Sequence, residues 1–248
     1  MHIYGIIPAR YPSTRFPGKP LIDIAGKSMI RRVYEQAKKA SSLKDVIVAT
    51  DDERILSHVI DFGGKAIMSS DQHQSGTDRC AEVANKVPEL DVVINIQGDD
   101  PFIDPKQIDL LCSCFNDPET VLATLVKKIK SGEELFSPNI PKVIFNSRSE
   151  AIYFSRTPIP YLRDKDQSVW QDEHQYYKHL GIYGYKAETL QEISKLQVSA
   201  LEKAEALEQL RWLENHYPIR VAITDLESFA IDTPADLERL LKSPIEGL

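Results

Sequence analysis

Ile3-Tyr4-Gly5-Ile6-Ile7-Pro8-Ala9-Arg10-Tyr11-Pro12-Ser13-Thr14-Arg15-Phe16-Pro17-Gly18-Lys19-Pro20 opens the chain with an apolar run and then breaks it. Residues 3–7 read as a buried strand. The prolines and Gly18 that follow exclude regular structure, so the segment after residue 8 is a loop leaving that strand. Arg10, Arg15 and Lys19 fall within ten residues on this loop. Arg offers a bidentate fork to phosphate oxygens and Lys a point charge, so the trio suits an anion. Taken alone, the same trio reads first as a solvated basic turn.

Outward from this loop, strands and helices alternate. Ser28 to Ala40 has helical spacing, with Met29, Ile30, Val33 and Ala37 on one face. Asp45 to Thr50 is a buried strand ending in Asp51-Asp52-Glu53, acids that suit the start of a helix running to Phe62. Gly63-Gly64 stops that helix, and residues 65–68 form the next strand. His73-Gln74-Ser75-Gly76-Thr77-Asp78-Arg79 is a polar loop before a helix from about Asp78 to Val87, with Thr77 or Asp78 as the expected cap. Asp91 to Gln97 is the most β-branched run and delivers Gly98-Asp99-Asp100-Pro101 at its end. Such alternation predicts an α/β fold, a mostly parallel sheet flanked by helices. Ligands of such sheets bind beyond the carboxyl ends of the strands, where the basic loop, Asp51 and Asp99 all lie. Adjacent carboxylates repel and call for a counter-ion. With phosphates implied by the basic loop, Mg²⁺ is the expected one.

Further along, Pro105 to Phe115 reads as a helix and 121–126 as a strand. Residues 139–146 and 151–156 read as short, antiparallel strands about a turn at Ser147-Arg148-Ser149. Pro158, Pro160 and the charged run 163–173 make a surface segment, followed by an aromatic and His-rich stretch, 174–185. Ala187 to Lys195 and then Leu201 to His216 read as helices, the second long and amphipathic. Residues 219–223 return to strand, and Thr233-Pro234 reads as cap and first residue of a last helix. Residues 155–217 are expected to form an inserted substrate or dimerisation segment within a single domain, 1–248.

The 248 residues carry a formal charge of −7, with cations concentrated on one loop. That balance excludes general nucleic-acid binding and suits a small polyanion. Three cysteines without a dense pairing pattern point to reduced thiols in a cytoplasmic compartment. The short first apolar run ends at Arg10 and does not read as a secretion signal, and no stretch has the length of a membrane span, so no membrane insertion is expected. No Walker A sequence occurs, because Gly18-Lys19 precedes Pro20, and no Gly-x-Gly-x-x-Gly occurs.

The blocks Ile7 to Leu21, Val48-Ala49-Thr50-Asp51, His73 to Arg79, Asn95-Ile96-Gln97-Gly98-Asp99, Tyr153-Phe154-Ser155-Arg156, His179 to Tyr185, Leu207 to Arg211 and Asp232-Thr233-Pro234, in this order, resemble those of the CMP-Kdo synthetases. These are the 3-deoxy-manno-octulosonate cytidylyltransferases. The resemblance implies a Rossmann-like nucleotidyltransferase that dimerises through residues 155–217 as a homodimer. It implies transfer of CMP from CTP to the octulosonate sugar, Kdo or its 8-amino analogue, with Mg²⁺, for lipopolysaccharide biosynthesis. It places Pro8, Ala9, Arg10, Arg15, Lys19, Ser75 and Arg79 at the nucleotide and Asp99 and Asp232 at the metal. Gln97, Arg156, His179, Tyr183, Glu208 and Gln209 fall to the sugar, and Arg10, Lys19 and Asp99 are the candidate catalytic residues. The chain departs from the family pattern at Asp100, Pro141, Ala200, Ala230-Ile231 and Ser69-Ser70. Alternatives are a cytidylyltransferase for a sialic-acid-type sugar and a catalytically silent nucleotide-binding protein.

Overall fold

A computed structural model describes residues 1–12, 16–227 and 229–242. The chain begins with β1 (Ile3–Ala9), the hairpin β2 (Asp23–Ile24) and β3 (Lys27–Ser28), α1 (Met29–Ala37), β4 (Asp45–Thr50) and α2 (Glu53–Asp61). It continues through β5 (Ala66–Met68), α3 (Gly76–Asn85), β6 (Val92–Asn95), α4 (Pro105–Ser113), β7 (Leu122–Lys128) and α5 (Gly132–Phe136). Then come β8 (Lys142–Phe145), β9 (Ala151–Ser155), α6 (Trp170–Glu173), β10 (Tyr177–Lys186) and α7 (Ala187–Ile193). The short helices α8 (Ala200–Glu205) and α9 (Gln209–Glu214), then β11 (Arg220–Ile223) and α10 (Pro234–Lys242), complete the described elements.

The main sheet has the order β11-β7-β10-β6-β1-β4-β5, with β8 beside β10 and β9 beside β8. β1 runs parallel to both β4 and β6, β4 to β5, and β7 to β11. The chain builds outward from β1 to β4 and β5, then crosses back to place β6 on the other side of β1. The ends of β1 and β6 therefore flank the point where strand order reverses, where open α/β sheets bind ligands.

Period-two alternation sends the strand residues to two cores. Ile3, Ile7, Val46, Val48, Val92 and Ile94 face α1, α2 and α4, through Ile30, Val33, Ile55, Val59, Ile108 and Leu111. Tyr4, Ile6, Ile47, Ala49 and Val93 face α3, α7 and α9, through Cys80, Val83, Leu190, Ile193, Leu210 and Trp212. Burial on both faces explains why these strands are almost continuously apolar.

Three local expectations are corrected. α3 starts earlier than Asp78: Ser75 is its cap, accepting from the Asp78 N–H at 3.1 Å while Asp78 accepts from the Ser75 N–H at 3.2 Å. The single helix expected over 201–216 is two, because Ala206 adopts a left-handed conformation with φ 50°. The carbonyls of Glu205 and Ala206 take hydrogen bonds from Arg156, at 2.5 and 3.1 Å, so α8 ends there. The aromatic stretch is also a strand: β10 lies between β6 and β7, antiparallel to both. Part of 155–217 thus belongs to the centre of the main sheet.

Candidate functional site

A cleft of about 260 Å³ opens at the carboxyl ends of β1 and β6. Pro8, Ala9, Arg10, Lys19, Ser75, Arg79, Gln97, Asp99 and Asp232 all line it, joined by Pro20, His73, Gln74, Gly76 and Gly98. Arg15 lies outside the described residues. Arg156, His179, Tyr183, Glu208 and Gln209 do not line this cleft.

The loop after β1 is pinched shut at its base. Gly18, at φ 68°, donates its N–H to the Tyr11 carbonyl at 3.1 Å. A Cβ at Gly18 would sit 3.2 Å from the Tyr11 ring, so a larger residue there meets both a strained conformation and a crowded ring. Arg54 stacks on the Tyr11 ring at 3.3 Å, held by Asp52 at 2.6 and 2.9 Å. The 3-10 turn Lys19–Leu21 follows directly and presents Lys19 to the cleft.

Lys19 Nζ donates to Asp99 Oδ2 at 2.7 Å and to Asp232 Oδ1 at 3.2 Å. The three groups come from three distant parts of the chain. Asp99 follows Gly98, where a Cβ would stand 2.9 Å from the Pro8 carbonyl oxygen, so a side chain there would push the ends of β1 and β6 apart. Asp232 follows Ile231, which is buried with Ile24, Met29 and Leu240 and donates its N–H to the Asp99 carbonyl at 2.8 Å. The Asp236 carboxylate, in the first turn of α10, accepts from the N–H groups of Asp232 and Thr233, at 3.2 and 2.9 Å. Thr233 and Pro234 thus begin the last helix as their sequence predicts, and that helix start fixes Asp232.

Among the described residues, no group of three or more His, Cys, Asp or Glu side chains gathers as a metal cage. The donor set nevertheless suits Mg²⁺, which is commonly held by one or two carboxylates together with substrate phosphates. Two carboxylates from separate elements already converge on one positive charge, the Lys19 ammonium. Asp100 is buried and does not line the cleft.

Arg79 is buried and its fork is engaged: Nη2 donates to Asp51 Oδ2 at 2.8 Å, Nη1 to Ser69 Oγ at 2.5 Å and to the Ser70 carbonyl at 3.3 Å. The Ser69-Ser70 departure therefore holds an arginine of the cleft wall. His73 is likewise tied to Glu82, at 2.6 Å. Hydrogen bonds from Lys86, the Ser70 N–H and His73 outweigh the opposing effect of burial and hold Glu82 down at about 2.

A second polar region lies on the β10 side. Thr77 Oγ1, in the first turn of α3, donates to Glu208 Oε2 at 2.7 Å, and Arg211 donates to Glu208 Oε1 at 2.7 Å. Burial raises the Glu208 carboxyl above its usual range despite these two partners. His179 Nε2 lies 3.0 Å from Thr124 Oγ1, with its ring against Phe154 and Tyr183. Burial lowers its pKa to about 3, so the imidazole is neutral near pH 7. Tyr183 stacks on Tyr185 and meets Trp212 edge-on. The Tyr183 hydroxyl, Gln209 Nε2 and Trp212 Nε1 are buried without a hydrogen-bond partner. Unmade hydrogen bonds of buried groups cost stability, so a cluster of them calls for a partner such as an ordered water or a bound polar group.

Arg156 is placed differently. Its guanidinium donates to the carbonyls of Glu205, Pro138 and Ala206 at 2.5, 2.9 and 3.1 Å, joining the 137–140 segment to the end of α8. Gly76, Gly98, His73 and Gln74 carry no predicted role yet stand in the cleft wall. The available signal was their place directly beyond a strand end or at a helix start.

A family model described as Cytidylyltransferase matches residues 4–223. The 3-deoxy-manno-octulosonate cytidylyltransferase of Parabacteroides distasonis is 56% identical over 246 residues, covering 97% of each chain. That of Bacteroides thetaiotaomicron is 54% identical over 242 residues, covering 96% of each. A solved structure of CMP:2-keto-3-deoxy-manno-octonic acid synthetase complexed with CTP superposes with a TM-score of 0.90 at 45% identity, covering 97% of each chain. A cytidylyltransferase from Leptospira borgpetersenii shares the fold at a TM-score of 0.62 and 17% identity, covering 97% of this chain and 85% of its own.

Proposed function

This chain belongs to the cytidylyltransferase family, among its 3-deoxy-manno-octulosonate members, and from that premise we propose how its two polar regions divide the reaction. The enzyme transfers CMP from CTP to 3-deoxy-manno-octulosonate (Kdo) and releases pyrophosphate. The anomeric hydroxyl of the sugar loses its proton and bonds to the α-phosphorus, and the bond from that phosphorus to the bridging oxygen of the pyrophosphate breaks. There is no covalent chemistry for the protein to do. Catalysis is positioning and neutralisation of charge.

The observation that carries this reading is the convergence of Lys19, Asp99 and Asp232 at the carboxyl edge of the sheet. Arg10 and Lys19 hold the triphosphate, with Arg15 as the third cation of the loop. Pro8, Ala9, Ser75 and Arg79 bound the nucleoside, Arg79 being preset by Asp51 and Ser69. Asp99 and Asp232 would hold Mg²⁺, which supplies charge neutralisation at the phosphates when bound. Gln97 stands between this cleft and β10, with its Cγ 3.9 Å from where a Cβ on Gly181 would lie. On the sugar side, neutral His179, Tyr183, Gln209 and Glu208 offer hydrogen bonds to hydroxyls. Arg156 is the residue for the sugar carboxylate: its three carbonyl partners take one N–H each from Nε, Nη1 and Nη2, which leaves one N–H on each terminal nitrogen for the carboxylate.

The protein is further proposed to work as a cytoplasmic homodimer. Its three cysteines are all free, which suits a reducing compartment. Ile152, Tyr161, Val198 and Leu201 expose apolar surface within or beside the 155–217 segment, as a dimer face would.

Pyrophosphate release with CTP, Mg²⁺ and each of Kdo, 8-amino-Kdo and a sialic-acid-type sugar tests the assignment. Release with Kdo is expected to be the most efficient. Release with neither octulosonate contradicts the function, and preference for the 8-amino sugar moves the acceptor to that analogue.

A further inference from the structure

On the neighbouring strands β7 and β10, two buried lysines stand side by side. Lys127 of β7 pairs in register with Lys178 of β10, so their side chains share one face. Two like charges so placed and so buried need counter-charges. Glu227 supplies one to both, accepting from Lys127 at 2.8 Å through Oε2 and from Lys178 at 2.7 Å through Oε1. Glu134 of α5 accepts from Lys178 at 2.5 Å, and Lys127 also donates to the Asp225 carbonyl at 2.7 Å. Two cations thus meet two carboxylates and one carbonyl.

Asp225 and Glu227 lie on the connection from β11 to α10, and Asp232 lies further along the same connection. Its upstream part is fixed repeatedly. The Thr224 N–H donates to the Val126 carbonyl at 2.9 Å, and the Leu226 N–H to Thr224 Oγ1 at 3.1 Å. Its downstream end is fixed by Ile231, whose N–H reaches the Asp99 carbonyl one residue before Asp232. The Lys127–Lys178–Glu227–Glu134 cluster therefore anchors the upstream part of the connection that carries Asp232.

We propose that Glu227, clasped by Lys127 and Lys178, is a positioning residue for Asp232 and so tunes the nucleotide–metal half of the site without touching substrate. The proposal rests on the reading of Asp232 as a residue of that half. Groups that orient metal-facing carboxylates are commonly worth about ten- to a hundredfold in affinity. Glu227→Gln should therefore weaken binding of CTP in the presence of Mg²⁺ by about tenfold by calorimetry, with CTP binding in EDTA unchanged. In an Asp232→Asn background the same change should alter the affinity less than about twofold, because the residue it acts through is gone. The pair Lys127→Gln with Glu227→Gln keeps cations and carboxylates in balance. It should reproduce the result if Glu227→Gln alone does not fold. If Asp232→Asn weakens Mg²⁺-dependent binding but Glu227→Gln does not, or does so equally in both backgrounds, the positioning role is overturned and the Asp232 reading stands. If Asp232→Asn binds CTP with Mg²⁺ as tightly as the parent, both fall.

Discussion

The two polar regions, proposed above as the nucleotide side and the sugar side, are built on opposite plans. At the ends of β1 and β6, charged groups stand at the rim of an open cleft: Arg10 is exposed, and Lys19 is shared by Asp99 and Asp232. Around β10 and α9, the groups are aromatic, mostly neutral and buried, and some have no hydrogen-bond partner. The first plan suits a triphosphate, recognised by charge wherever fixed cations can reach it. The second suits a sugar, recognised by hydroxyl geometry, where desolvated donors and acceptors discriminate best. The cost of the second plan is borne in the stability of the folded protein.

Substitutions can break this division, and their expected effects differ in size. Asp99→Asn should reduce turnover by about a thousandfold, while the thermal midpoint stays near that of the parent. Full turnover would remove Asp99 from the reacting side. Gly98→Ala forces a methyl to within 2.9 Å of the Pro8 carbonyl oxygen. The strand ends must part, and kcat/KM for CTP should fall by about a hundredfold. A normal value would show that the cleft tolerates the movement. Glu208→Gln should act on the other side, raising KM for Kdo by about thirtyfold and changing KM for CTP by less than about twofold. Steady-state titration of each substrate reads the difference.

Two smaller effects test whether burial is what sets the sugar side apart. His179 has its pKa lowered by burial from 6.5 to about 3. The unfolded chain therefore binds the extra proton between those values, so the contribution to stability is complete above pH 6.5 and is lost as pH falls towards 3. Denaturant unfolding should show a loss of at most about 2 kcal/mol from this group on going from neutral pH to about pH 5. His179→Gln should abolish that part of the slope. Tyr183→Phe removes a buried hydroxyl that has no partner. It should stabilise the fold by about 1 kcal/mol while raising KM for Kdo, and destabilisation would mean that the hydroxyl is satisfied.

The same contrast governed what could be read before the fold was known. β1, β4 and β6 are buried on both faces and announce themselves as apolar runs, and the Gly98-Asp99 turn follows from its place at a strand end. The start of α10 was legible because Thr233, Pro234 and Asp236 carry local capping chemistry. β10 was not read as a strand, because its Tyr, His and Gly residues follow long-range packing against β6 and β7. The break at Ala206 carries no Gly or Pro. The Ala206 carbonyl is instead held by Arg156, which lies 50 residues away in sequence. No local pattern marks Lys127, Lys178 and Glu227 as an ion cluster, because only pairing of β7 with β10 brings the lysines together. Of the site residues named from the sequence, those at strand and helix ends meet in the cleft, whereas the roles around β10 came from resemblance.

The division of labour is tested most directly by steady-state kinetics of Lys19→Met with CTP and Kdo varied in turn. The change removes the cation shared by Asp99 and Asp232, on the cleft side of the sheet. KM for CTP should rise and kcat should fall, each by at least about tenfold, while KM for Kdo stays within about twofold of the parent. An equal rise in both KM values would contradict the separation of the two halves.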